Sequence, residues 1–72
     1  MATNAQVAEK LGVSHSTVSR MRTGKRIGSP EVLSRISSEF EIPLADVMNA
    51  AVKARNGKLT LWTRMMKKVL GD

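Results

Sequence analysis

Four cations, Arg20, Arg22, Lys25 and Arg26, fall close together in the first half of the chain, beside the imidazole of His15 and the hydroxyls of Ser14, Ser16, Thr17, Ser19 and Thr23. Three kinds of chemistry use such residue types. The first is nucleophilic catalysis by a serine with a histidine base. It needs the base to be oriented by a third, acidic group, and neighbours on one short helix do not face one another in that way. No acid stands near these residues in the sequence. The second is metal binding, for which His15 lacks partners: there is no cysteine and no second histidine, whereas zinc takes about three or four protein ligands. No catalysis, no metal and no cofactor are therefore expected. The third is binding of a polyanion, in which guanidinium and ammonium groups neutralise phosphates and the two-pronged arginine also matches guanine O6 and N7. The residues present suffice for that.

The charge of the whole chain agrees. Its 72 residues hold twelve Lys and Arg against six Asp and Glu, a formal charge of +6. Such an excess implies a polyanionic partner, nucleic acid first and an anionic membrane surface second. A second basic group, Lys53, Arg55, Lys58, Arg64, Lys67 and Lys68, loads the C-terminal third, while Glu31, Glu39, Glu41 and Asp46 make the middle neutral to acidic. That asymmetry predicts a binding end and a packing centre. Phe40 and Trp62 are the only aromatics, too few to stack the bases of a single strand, so duplex DNA is the expected ligand. Without cysteine there is neither a disulfide frame nor a cysteine-based zinc site. No apolar run approaches the roughly 20 residues of a membrane span, and the N-terminus does not read as a secretory signal. A cytoplasmic location without a membrane partner follows as the expectation. The length leaves room for one domain with a thin core, residues 1–72.

Turn signals divide the chain into short helical segments. Val7, Ala8 and Leu11 recur at the spacing of one helix face from Asn4 onward, and Gly12 follows where a left-handed cap is expected. Ser14 is a good cap for a second helix that buries Val18 and Met21 and stops at Thr23 and Gly24. After a basic loop, Ser29, Pro30 and Glu31 supply a capping hydroxyl, a first-turn proline and an acid for a third helix over residues 30–40. Ile42 and Pro43 interrupt it. A fourth helix over residues 43–55 would turn Leu44, Val47, Met48, Ala51 and Val52 to the core, and a fifth over 59–70 gathers Leu59, Trp62, Met65, Met66, Val69 and Leu70 on one side. The rival reading of the last segment is an edge strand from Lys58 to Thr63, but the length of the pattern favours the helix. An all-α bundle of about five short helices is expected.

Two short helices joined by a tight glycine turn make a helix-turn-helix, residues 4–24, though many helix pairs meet so loose a description. Specific residues carry more. Val7, Ala8, Leu11, Gly12, Val13, Val18 and Met21 stand at the spacing of the lambda-repressor-like, Xre-type helix-turn-helix regulators, and the segment resembles that family. Each has a physical reason: Ala8 is small where the second helix crosses the first, Gly12 permits positive φ, and the others fill the wedge between the helices. The resemblance runs on through Lys25 and Arg26, then through Leu33, Arg35, Ile36, Phe40, Ile42, Leu44 and Val47, about two-thirds of the chain. It implies a sequence-specific, double-stranded-DNA-binding regulator of transcription, most like small phage repressor and Cro-type proteins.

With Val18 and Met21 turned inward, the helical repeat puts Ser16, Ser19, Arg20 and Thr23 on the opposite side. His15, Ser16, Ser19 and Arg20 are the expected base readers, Arg20 foremost; the family reads bases from the positions of His15, Ser16 and Arg20. Asn4, Thr17, Arg22, Thr23, Lys25 and Arg26 are the expected phosphate contacts, with Asn4 equally readable as a helix cap. Relatives carry a further helix before the motif, and only Met1, Ala2 and Thr3 precede it in this sequence. Trp62, Met65, Met66 and Val69 are expected either to cover the surface that helix would cover or to form a dimer interface. A symmetric homodimer on a pseudo-palindromic operator, acting by steric block without a small-molecule ligand, is the resulting expectation. The alternatives are an excisionase- or antitoxin-type DNA binder, an adaptor that binds a protein through the Trp62 face, and a membrane-surface binder using the cationic segment from Lys58 to Leu70.

Overall fold

The computed structural model describes residues 3–71. Their order is α1 (Asn4–Leu11), α2 (His15–Arg22), α3 (Pro30–Phe40), α4 (Leu44–Arg55) and α5 (Thr60–Leu70), with no strand among the described residues. The rival edge strand at Lys58 to Thr63 is thereby excluded. Thr60 to Thr63 open a helix whose buried residues Trp62, Met65, Met66, Val69 and Leu70 keep one face.

Local chemistry sets most of the boundaries. The cap of α1 is Thr3, not Asn4: Thr3 accepts from the Gln6 N–H while the Gln6 side chain accepts from the Thr3 N–H, a reciprocal box that leaves Asn4 as the first helical residue. Gly12 ends α1 in the left-handed region, φ 69°. Ser14 caps α2, and Ser29 caps α3 with Pro30 in the first turn. The end of α3 departs from expectation. Phe40 gives way to Glu41 at φ 54°, a left-handed residue that is not glycine. The Ile42 N–H returns to the Ser37 carbonyl at 3.2 Å, and the Ser37 hydroxyl donates to the Ile42 carbonyl at 2.7 Å. These bonds hold the corner before Pro43 that Glu41 must turn.

The core is shared by all five helices, with Val7, Leu11, Val18, Met21, Leu33, Ile36 and Val47 meeting the apolar face of α5. Trp62 is 0 % exposed, and its indole N–H donates to the Met21 carbonyl at 2.6 Å. The apolar face of α5 thus packs inside its own chain, against α1, α2, α3 and α4. Trp62, Met65, Met66 and Val69 are buried in this way, so the face covers the chain's own core.

One face was placed wrongly by the helical wheel. In α4 the buried residues are Val47, Ala50, Ala51 and Ala54, whereas Leu44 is 46 % and Val52 53 % exposed. The reason is close packing: α4 lies along α5, whose Trp62, Met65 and Met66 are bulky, and alanines let the two backbones approach. A wheel that weights large residues over small ones rotates α4 the wrong way.

Candidate nucleic-acid interface

The candidate reading helix, α2, is held at three points. At its start, the Ser14 hydroxyl accepts the Thr17 N–H at 3.2 Å and lies 3.0 Å from the Ser16 hydroxyl and 2.9 Å from that of Thr17. Ser14 has one proton and two lone pairs, one of them committed to the N–H. It donates to one of the two hydroxyls and accepts from the other, so one of Ser16 and Thr17 keeps its proton for an outside acceptor. Ser14→Ala removes the cap and should cost about 1 kcal/mol of stability, measured as a lowered urea midpoint. An unchanged midpoint would show the cap to be dispensable.

The preceding turn is tight. The Val13 N–H bonds the Ala8 carbonyl at 3.0 Å, and a Cβ on Gly12 would stand 3.1 Å from Nη1 of Arg35. The Arg35 side chain therefore lies across the turn, while its Nη2 sits 3.7 Å from a Glu31 carboxylate oxygen. At its far end α2 is held by carbonyls. The Arg20 carbonyl accepts from the Thr23 hydroxyl at 3.2 Å, the Lys25 N–H at 3.0 Å and the Arg26 N–H at 3.3 Å. The Met21 carbonyl accepts from Gly24 N–H at 3.1 Å as well as from Trp62. One residue thus carries a guanidinium outward and anchors, through its carbonyl, the loop that bears Lys25 and Arg26.

Val18 and Met21 are buried, and His15, Ser16, Ser19 and Arg20 are all exposed. Arg22, Thr23, Lys25 and Arg26 are exposed at the end of α2 and in the loop after it, and Asn4 and Thr17 are half-buried. All ten expected contact residues belong to α1, α2 and the loop that follows. The face is small in side-chain bulk, with serines between longer cations, which lets a helix backbone come close to base edges. The Thr23 hydroxyl donates to the Arg20 carbonyl, so in this arrangement it offers an outside group lone pairs rather than a proton.

A helix-turn-helix family model matches residues 3–47. The chain belongs to this family. It is a DNA-binding regulator of transcription of the Xre type, in which the helix-turn-helix is a DNA-binding and not a catalytic unit. No curated protein and no solved structure matches it. No helix among the described residues is long and apolar enough to cross a membrane, and these residues form no cluster of His, Cys, Asp or Glu that would hold a metal ion. The match stops at residue 47, yet the helix-turn-helix is fastened from beyond it. Trp62 bonds the last turn of α2, and Leu59 lies where a Cβ on Gly24 would fall, 2.6 Å from its Cδ2. The Trp62 face was expected from the sequence to cover this surface, but its bond to Met21 and the packing of Leu59 on Gly24 were not foreseen. The only available signals were a lone tryptophan on an amphipathic segment and a glycine that also served as a helix stop.

Proposed function

We propose that this regulator is a repressor of the phage repressor and Cro kind, which binds a pseudo-palindromic operator as a symmetric pair and blocks transcription by occupying it. One observation carries the reading: α2 buries Val18 and Met21 and exposes Ser16, Ser19 and Arg20 between cations at its end and in the following loop. His15, Ser16, Ser19 and Arg20 read base edges, and Arg20 makes the two-pronged contact to a guanine. Asn4, Thr17, Arg22, Thr23, Lys25 and Arg26 meet phosphates and set the register. Thr23 does so by turning its hydroxyl from the Arg20 carbonyl. A single reading helix covers few base pairs, so useful selectivity comes from two copies on half-sites about one or more helical turns apart. The enclosed α5 face leaves that pairing to other surface.

Selection of bound sequences from a random duplex pool tests the reading, because it yields both the operator and its symmetry. On the selected site Arg20→Ala should lose about 1–3 kcal/mol and relax preference at one base pair, while Lys25→Ala weakens selected and random DNA alike. Equal losses on both DNAs for Arg20→Ala would remove it as a reader. Sedimentation that finds only monomer, with and without operator, would remove the pairing.

A further inference from the structure

The polar half of α5 divides into two flanks that face different neighbours. At about 100° per residue Thr63 and Lys67 share one flank, and Arg64 and Lys68 share the other. Thr63 and Lys67, with Met66 and Leu70, border a crevice of about 270 Å³ whose opposite wall is Arg22 and Thr23 at the end of α2. Arg64 and Lys68 line a separate groove against α4, in company with Asp46 and Asn49. Two adjacent lysines of one basic run are thus assigned to different surroundings.

We propose that Lys67 is a DNA-backbone contact, which extends the phosphate-binding surface from the helix-turn-helix onto α5. The inference rests on the reading of α2 as the groove helix. If α2 enters the major groove, its last turn runs beside the sugar–phosphate wall of that groove, and whatever flanks Arg22 and Thr23 faces the same wall. Lys67 is exposed there, on a helix fixed to α2 by the Trp62 bond. A lysine on a four-carbon stem meets a phosphate oxygen as a point charge without reading sequence. Arg22 and Thr23, across the same crevice, are themselves expected phosphate contacts, so Lys67 continues one surface with them. Lys68, beside Asp46, stands on the other flank and has no such role.

The test compares Lys67→Ala and Lys68→Ala with the parent chain, on operator and on random duplex, across a salt series. Both substitutions put a good helix former at an exposed helical position, and thermal melting checks that the fold is unchanged. Loss of one phosphate contact should lower the slope of log affinity against log salt by about 0.9, so that the parent's advantage over Lys67→Ala shrinks about 3.5-fold between about 50 and 200 mM salt. The loss should be the same on operator and random DNA, and Lys68→Ala should keep the parent slope. Equal slopes for all three proteins would overturn the Lys67 contact while leaving α2 as the reader. Equal lowering by both lysines would overturn it too, in favour of a diffuse field. A parent chain with no salt-dependent DNA affinity would bring down the α2 reading itself, and the Lys67 contact with it.

Discussion

Trp62→Ala is expected to leave the domain unfolded or close to it at room temperature. Trp62 is 0 % exposed, and its side chain is the largest of those fully buried. Truncating a buried tryptophan to alanine costs about 3–5 kcal/mol, and a chain of this size has a total stability of roughly 4–11 kcal/mol. The bond to Met21 adds a specific loss at α2. Trp62→Phe comes closer to isolating the bond, because it keeps a six-membered ring in the core while removing the N–H and the rest of the pyrrole ring, at the cost of a small cavity. The Met21 carbonyl still accepts from Gly24, so no buried acceptor is orphaned and the phenylalanine variant should lose about 1–2 kcal/mol. Urea unfolding read by helical circular dichroism measures both. A Trp62→Ala protein with the parent's midpoint would mean that α5 does not cover the core.

Gly24→Ala should be the most damaging single-methyl change. Two penalties coincide. Gly24 has φ 79°, in the region that costs a residue with a Cβ about 1–2 kcal/mol. The new Cβ would also lie 2.6 Å from Cδ2 and 3.2 Å from Cδ1 of Leu59, and overpacking of this kind costs about 1–3 kcal/mol. The expected total is about 2–5 kcal/mol. Gly57 supplies the control: its φ is 84°, and a Cβ there would meet nothing within 4 Å. Gly57→Ala therefore reports the backbone penalty alone, and the difference between the two variants reports the contact with Leu59. Equal midpoints for the two would show that Leu59 moves aside without cost. A larger loss at Gly24, accompanied by weakened DNA binding, would show that the α2 to α5 junction places the reading helix.

The parts that could be read from the sequence were those fixed within a few residues. Ser14 as a cap, Gly12 as a left-handed turn, and Ser29 with Pro30 as a helix start each depend on bonds that span three to five positions. The outward face of α2 was legible for the same reason, since burying Val18 and Met21 fixes where Arg20 points. Features set by one helix meeting another were legible only in outline: Ala8 at the α1 to α2 crossing and the Trp62 face over the core were expected, the details of the α3, α4 and α5 contacts were not. Leu44 and Val52 look like core residues until α5 is laid along α4 and selects the alanines. Glu41 gives no warning of its left-handed backbone, because the demand comes from the corner between α3 and α4. Lys67 and Lys68 read as one basic pair until neighbouring helices divide them.

The bond from Trp62 to Met21 spans 41 positions of the chain, and a ribosome delivers those positions in order, N-terminus first. The whole family-matched segment, residues 3–47, is therefore translated while the tryptophan that secures it is still unmade. Until α5 emerges, Val18 and Met21 belong to a wedge with an open side. Messages cut short before the Trp62 codon would yield products that carry every residue of the motif and yet hold α2 loosely. Such fragments should bind DNA poorly, because the helix-turn-helix becomes fastened only once the Trp62 segment has been made.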